Sequence, residues 1–241
     1  MSNDTVLVTG GTGFIGHAVV QCLLKNGYTV RVFVRATSEP FENHPNLSHA
    51  VGDMRDLQSL EAAMAGVQYV IHLAAAKSDE KDSEAVNVGG AQNLIEACRI
   101  AGVKRILNIS TQVANLEKKG VYATTKEKAD RLLHASTTPV VTLRSSLVYN
   151  EKPSGVFGTI VKYSSLPMIP IFGDGTSLYR PIHRDDLATV IVAALDQPNV
   201  TGKIYDVGGP DLVTLNELAG KIMEARGQIR PLLHLPVWFG V

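Results

Sequence analysis

The sequence predicts an α/β protein with a doubly wound parallel sheet. Two observations carry that prediction. Short β-branched runs alternate with helical stripes through the first two thirds of the chain, and a glycine-rich turn joins the first run directly to the first stripe. Thr5–Thr9 (TVLVT) is continuous in β-branched and apolar residues, as a strand covered on both faces should be. Residues Phe14–Asn26 place Ile15, Val19, Cys22 and Leu23 on one helical stripe, and Gly27 ends it. Thr29–Val34 and Leu47–Val51 read as the second and third strands. Asp56 can cap a helix whose Leu57, Leu60 and Met64 share a face before Gly66. Tyr69–Leu73, Arg105–Ser110 and Val140–Leu147 continue the strands. Helices over Ala91–Ala101, closed by Gly102, and Tyr122–Ala135 lie between them.

The texture changes after Tyr149. Pro153, Gly155, Gly158, Pro167, Pro170, Gly173 and Gly175 crowd a stretch that reads as a loop-rich, substrate-binding insertion over residues 150–182. Helix and strand return at Asp185–Leu195 and Lys203–Val207, and Thr214 with Glu217 predicts a capping box. The expected division is therefore a dinucleotide-binding core over 1–149 and a mixed C-terminal part over 150–241.

The 241 residues suffice for one large α/β domain or two small ones. Charged residues are 19%, and the 23 basic side chains balance the 23 acidic ones. No positive field is left over to make nucleic acid or anionic lipid the main partner. Cys22 and Cys98 form no metal or redox motif and read as buried, inert thiols. No H-E-x-x-H, Cys/His cluster or carboxylate pair suggests a metal site. No leader pattern opens the chain and no apolar run is long enough for a membrane span. A soluble, cytoplasmic protein with a small-molecule substrate is the expectation, with a homodimer admitted.

The turn reads GGTGFIG. Gly10, Gly13 and Gly16 fit G-x-x-G-x-x-G, with Thr12, Phe14 and Ile15 between them. Such glycines let backbone N–H groups approach a pyrophosphate, and the helix N-terminus adds favourable partial charge. This predicts a Rossmann-type dinucleotide site. About 20 residues past the loop, an acid selects NAD by its ribose hydroxyls, whereas an Arg holds the extra phosphate of NADP. Arg35 stands there, with no acid before Glu39, so NADP is favoured and NAD is the alternative. Asp53, after Gly52, is placed to meet the adenine with its carboxylate or with the N–H of Met54.

TGGTGFIG, GDMRD (Gly52–Asp56), HLAAA (His72–Ala76), VNVGGAQNL (Val86–Leu94) and YATTK (Tyr122–Lys126) stand in the order used by short-chain dehydrogenases/reductases. With PIHRDDLA (Pro181–Ala188) and DVGGP (Asp206–Pro210), the chain resembles the extended and atypical branch, the NAD-dependent epimerase/dehydratase-like proteins. The resemblance implies that Tyr122 and Lys126, which share a helix face, form the Tyr–Lys pair of that superfamily. Tyr122 would exchange a proton with a substrate oxygen, its phenolate favoured by the neighbouring ammonium. Lys126 would also reach the nicotinamide ribose. Ala74, Ala75 and Ser110 would lie against the cofactor. Asn87 matches an Asn that relatives use in a proton relay, and a structural Asn is the alternative. The third catalytic member is Thr111 in one alignment and Gln112 in another; Thr111 is preferred.

Two departures bear on substrate. Arg180 stands one position from the Arg that holds a nucleotide diphosphate in relatives, which lowers the expectation of a sugar nucleotide. Ser145 replaces a usual proline. His183 reads as structural. Three functions follow: an NADP-dependent oxidoreductase acting on a carbonyl or hydroxyl, an epimerase or dehydratase that keeps its cofactor, and a non-catalytic dinucleotide-binding regulator or assembly factor. The apolar tail Pro231–Val241 suggests that the natural protein continues, with Trp238 and Phe239 in a contact patch.

Overall fold

A computed structural model describes residues 4–36, 41–77, 79–115, 120–152, 155–236 and 238. The chain divides into two compact units: residues 1–145 with 185–207, and residues 146–184 with 208–241.

The first unit contains β1 (Thr5–Thr9), α1 (Phe14–Lys25), β2 (Thr29–Val34), β3 (Leu47–Val51), α2 (Leu57–Ala63), β4 (Tyr69–His72) and α3 (Glu80–Ser83). A π-helical segment, Glu84–Gly89, leads into α4 (Gly90–Ala101), followed by β5 (Arg105–Thr111), α5 (Val121–His134) and β6 (Val140–Ser145). Helix α7 (Arg184–Ala193) and β11 (Ile204–Val207) complete it. Seven strands form one parallel sheet in the order β11-β6-β5-β4-β1-β2-β3. The order reverses direction at β1 and β4, so the chain leaves the sheet to opposite faces there and opens a crevice at the strands' C-terminal ends. GGTGFIG follows β1 at this point.

One face of the sheet is covered by α2, α4 and α5. Leu7, Val70 and Ile106 from neighbouring strands meet Leu60, Met64, Leu94, Ala97 and Leu133 in one buried cluster. Each such side chain contributes about 1.5–3 kcal/mol by leaving water. The helix ends follow the sequence signals. Asp56 accepts from the Gln58 N–H, Gly102 closes α4 in the left-handed region, and Thr214 with Glu217 forms a full capping box.

The second unit contains more regular structure than its glycines and prolines suggest. It holds β7 (Val148–Tyr149), α6 (Gly155–Tyr163), β8 (Ile169–Phe172), β9 (Leu178–Tyr179), β10 (Ile182–His183), β12 (Val213–Thr214), α8 (Leu215–Ala225) and β13 (Leu232–Leu235). Helix α6 replaces the expected loop because Phe157 and Ile160, three apart, reach a core with Ile169, Ile171, Leu218 and Met223. Pro170 sits in β8, which pairs only with β13, so its missing N–H breaks no ladder on the open side. Tyr149 packs on Phe157 and edge-on to His183, which also faces Glu151, a structural setting for that histidine. Trp238 is exposed; Phe239 lies outside the described residues.

Cys98 is fully buried and its thiol is pushed up to about 12 by desolvation. Cys22 departs from the expectation: it is only partly buried, its α1 position facing the Asn26 amide as well as apolar neighbours.

Candidate functional site

The glycine loop is shaped by what it must avoid. Gly10 has φ +71, and a Cβ there would lie 2.7 Å from the Ala74 N and 2.8 Å from the Leu73 carbonyl carbon. A Cβ on Gly16 would run into the Gly10 carbonyl oxygen. The backbone after β1 is therefore pressed against the backbone after β4, and α1 against the turn. The Gly13 N–H closes the turn on the Gly10 carbonyl at 3.0 Å. Gly13 is also the N-cap of α1 and offers no side chain, so no capping oxygen covers the helix's positive end. This cradle fits a pyrophosphate. Gly10→Ala should lower stability by about 1–2 kcal/mol from the left-handed backbone alone and displace Ala74. Dinucleotide fluorescence titration should then show at least a tenfold loss of affinity, and an unchanged affinity would contradict the cradle.

A cleft of about 490 Å³ opens over the loop. Gly10, Thr12, Gly13, Arg35, Asp53, Met54, Ala74 and Ala75 all line it, with Arg55, Ala76, Lys77 and Asp82. Phe14, Ile15 and Gly16 form the first turn of α1 behind this wall. Asp53 does not present a free carboxylate. Arg55 grips it through Nε and Nη2 at 2.9 and 2.6 Å and through its own N–H at 2.9 Å. Arg55, its hydrogen bonds foremost, draws the Asp53 carboxyl down to about 2, and Arg35 adds to the effect. Of the two contacts the sequence offers for adenine, the Met54 N–H is the one left open. The Met54 carbonyl is tied to the Asn93 amide at 3.0 Å.

Behind the cleft, Thr9 and His72 join the ends of β1 and β4. The Thr9 hydroxyl lies 2.8 Å from His72 Nδ1 and accepts from the Ala74 N–H at 3.3 Å. Burial, helped by the Lys126 charge, lowers the His72 imidazole to about 3. Unfolded, the ring takes a proton near pH 6.5, so below that pH the unfolded chain holds one more proton and stability falls as pH falls toward 3. The expected loss is about 2 kcal/mol between pH 7 and 5. His72→Gln should flatten that slope in urea unfolding at the two pH values. Equal slopes in both proteins would refute the assignment.

Asn87, in the π-helical segment, is a structural hub. It accepts from the Ala76 N–H at 2.8 Å and donates to the Ala76 carbonyl at 3.1 Å and to Thr125 Oγ1 at 2.9 Å. The Thr125 hydroxyl donates to the Tyr122 carbonyl at 3.1 Å. Asn87 thus ties the cleft wall to α5. The wider π turn is what lets Asn87 reach both partners.

Tyr122, Lys126 and Thr111 stand outside the cleft wall, with Lys77 as the link. Lys77 lines the cleft, and its ammonium sits 4.7 Å above the Tyr122 ring. Lys126 is buried and donates to the Ile109 carbonyl at 3.1 Å. Burial lowers its ammonium, Asp130 opposes that, and Lys77 adds to it. Burial and then the Asp130 charge raise the Tyr122 phenol above its ordinary value. Thr111 is half-buried at the end of β5, and its hydroxyl accepts from the Val113 N–H at 3.4 Å. Gln112 follows in a single 3-10 turn. The Ser110 hydroxyl donates to Asp130 at 2.8 Å.

Lys77, Arg55 and Asp130 were not evident from the sequence motifs. Asp130 had a signal, because it continues the Tyr122–Lys126 face by one more turn. Lys77 had only its place after HLAAA. Among the described residues, no group of three or more His, Cys, Asp or Glu is placed to hold a metal, and no helix is long and apolar enough to cross a membrane.

A family model described as the NAD dependent epimerase/dehydratase family matches residues 6–208. The chain belongs to that family. Its members share an NAD(P)-binding fold of the extended short-chain dehydrogenase/reductase type. Mitochondrial NADH dehydrogenase [ubiquinone] 1 alpha subcomplex subunit 9 of Arabidopsis thaliana is 32% identical over 91% of this chain and 57% of its own length. The 3 beta-hydroxysteroid dehydrogenase/Delta 5→4-isomerase of Mycobacterium tuberculosis is 29% identical over 95% of this chain and 71% of its own. The chain spans 57–66% of several of these curated relatives. A UDP-glucuronic acid 4-epimerase from Bacillus cereus, solved with UDP-glucuronic acid and NAD, superposes with a TM-score of 0.84. It is 25% identical and the match covers 96% of this chain and 86% of that one. The epimerase/dehydratase member described here thus has the expected parallel-sheet fold, and NAD(P) binding is typical of its family.

Proposed function

We propose that this protein is an NADP-dependent oxidoreductase that reduces a carbonyl group on a small organic substrate. The observation that carries the proposal is the place of Tyr122, its ring 4.7 Å from the ammonium of the cleft-lining Lys77 and one helical turn from Lys126. Gly10, Thr12 and Gly13 would hold the pyrophosphate, Arg35 the adenosine phosphate, and Lys126 the nicotinamide ribose. When bound, NADPH supplies a hydride. Tyr122 donates its phenolic proton to the substrate oxygen as negative charge develops there, and Thr111 orients that oxygen. The Lys126 ammonium and the Lys77 cation over the ring then stabilise the phenolate that remains.

A sugar-nucleotide substrate is less well supported. The Arg180 guanidinium donates to the Pro210 carbonyl at 2.9 Å within its own unit. That unit also has a pocket of about 230 Å³ walled by Tyr149, Phe157, Val213, Leu218 and Ile222, with Asp211 and Lys221 in its lining. Net consumption of NADPH separates this reading from an epimerase, which regenerates its cofactor. A non-catalytic role has one specific observation behind it: the relative named as an NADH dehydrogenase subunit. A thermal-shift screen with NADPH and candidate ketones, followed by turnover assays, tests the proposal; tight NADPH binding with no turnover would favour the non-catalytic reading.

A further inference from the structure

Helix α5 carries an acid one turn beyond Lys126. Asp130 is only 2% exposed. Its two carboxylate oxygens accept from the Asn108 amide and the Ser110 hydroxyl, each at 2.8 Å, and the Arg144 Nε lies 3.5 Å away. Asn108 and Ser110 share one face of β5 because strand side chains alternate. Lys126 bonds the carbonyl of Ile109, the residue between them. Base and acid on successive turns of α5 therefore clamp three consecutive residues of β5, immediately before Thr111.

We infer that Asp130 is a positioning residue for Lys126, holding its ammonium charged and fixed at the end of β5. The acid also reaches further than its hydrogen bonds. A lysine as deeply buried as Lys126 tends to shed its proton. Lys77, from the loop after β4, pushes the same way, and Asp130 is the charge that opposes both. The other groups facing this pair are accounted for. His72 on β4 is neutral down to about 3. His134 on α5 bonds the Thr142 hydroxyl at 2.9 Å, and burial lowers its imidazole. Burial, then the Asp130 charge, raises the phenol of Tyr122 on α5. Arg144 on β6 brings a guanidinium to the same carboxylate. The Arg144 Nε makes no hydrogen bond, so the contact with Asp130 is one of charge rather than of hydrogen-bond geometry.

The functional consequence rests on the proposal that Lys126 holds the cofactor, but the test does not require cofactor. Protein labelled with ε-¹³C lysine is titrated by NMR, with Lys126→Met identifying the signal. Asp130→Asn should weaken the proton affinity of Lys126 by roughly tenfold or more, the scale of losing a buried opposite charge. Arg144→Met should strengthen it, because the carboxylate then has one cation fewer to satisfy. The opposite signs exclude a general loosening of the fold, and Arg144→Met carries the test if Asp130→Asn fails to fold. A Lys126 titration that moves in neither variant, or moves the same way in both, overturns the inference. NADPH affinity of Lys126→Met is measured separately. If it equals wild type while the NMR shifts occur, the cofactor role of Lys126 falls and the positioning by Asp130 stands.

Discussion

Tyr122→Phe should lower turnover by roughly 10²–10⁴-fold, the range for losing a positioned acid, while fold and NADPH affinity stay near wild type. The substitution removes one oxygen and keeps the ring under Lys77. Among the described residues no hydrogen bond depends on that hydroxyl, and α5 is anchored through the Tyr122 backbone carbonyl, Thr125 and Lys126. The pH dependence carries a sign. Burial and Asp130 raise the phenol above its ordinary value of 10.0, so carbonyl reduction should hold through neutral pH and decline only on the far alkaline side. A decline near pH 7 would point to another acid. Lys126→Ala should lower turnover and NADPH affinity together, and Thr111→Val turnover alone. If Gln112→Ala is the more damaging of the last pair, the substrate oxygen is oriented one residue later. Full activity in Tyr122→Phe would remove the catalytic assignment.

Arg35→Ala should erase most of a preference for NADPH over NADH. Arg35 is an exposed side chain on the cleft wall at the end of β2, near enough to Asp53 for its charge to act there. Its neighbour Arg55 is already engaged, bidentate on Asp53 and 3.8 Å from Asp82. On the proposed NADP reading, Arg35 is the guanidinium that would take the added phosphate. A charge-assisted bond of about 1.5–3 kcal/mol corresponds to about a ten- to hundredfold change in affinity. Titration calorimetry of both cofactors against both proteins measures it. Equal affinities of the wild-type protein for NADPH and NADH would refute the NADP assignment.

The parallel sheet was legible because β1, β2, β4, β5 and β6 are largely buried and read as nearly unbroken apolar runs, while α1, α2 and α4 end at glycines and caps with local geometry. The glycine turn was legible as well: Gly10 and Gly16 stand in close backbone contacts that leave no room for a Cβ. The second unit was harder. Its helix α6 starts at Gly155 among turn-forming residues, and only the packing of Phe157 and Ile160 on distant Leu218 and Met223 makes it a helix. The site was legible as positions but not as states. Helix spacing aligns Tyr122 and Lys126, yet whether the phenol is protonated depends on burial and on Asp130, neither of which spacing reveals. Asn87 and Ser110 likewise match motif positions, but their partners across the fold, Ala76, Thr125 and Asp130, set what their side chains do.

The central claim is that the cleft delivers a hydride while Tyr122 delivers a proton. The most direct measurement uses NADPH deuterated at the reactive nicotinamide carbon, incubated with a ketone found in the screen. One deuterium at the new carbinol carbon, with one equivalent of NADP formed per product and both lost in Tyr122→Phe, is the predicted result. Tight NADPH binding with no deuterium in any product would contradict the claim.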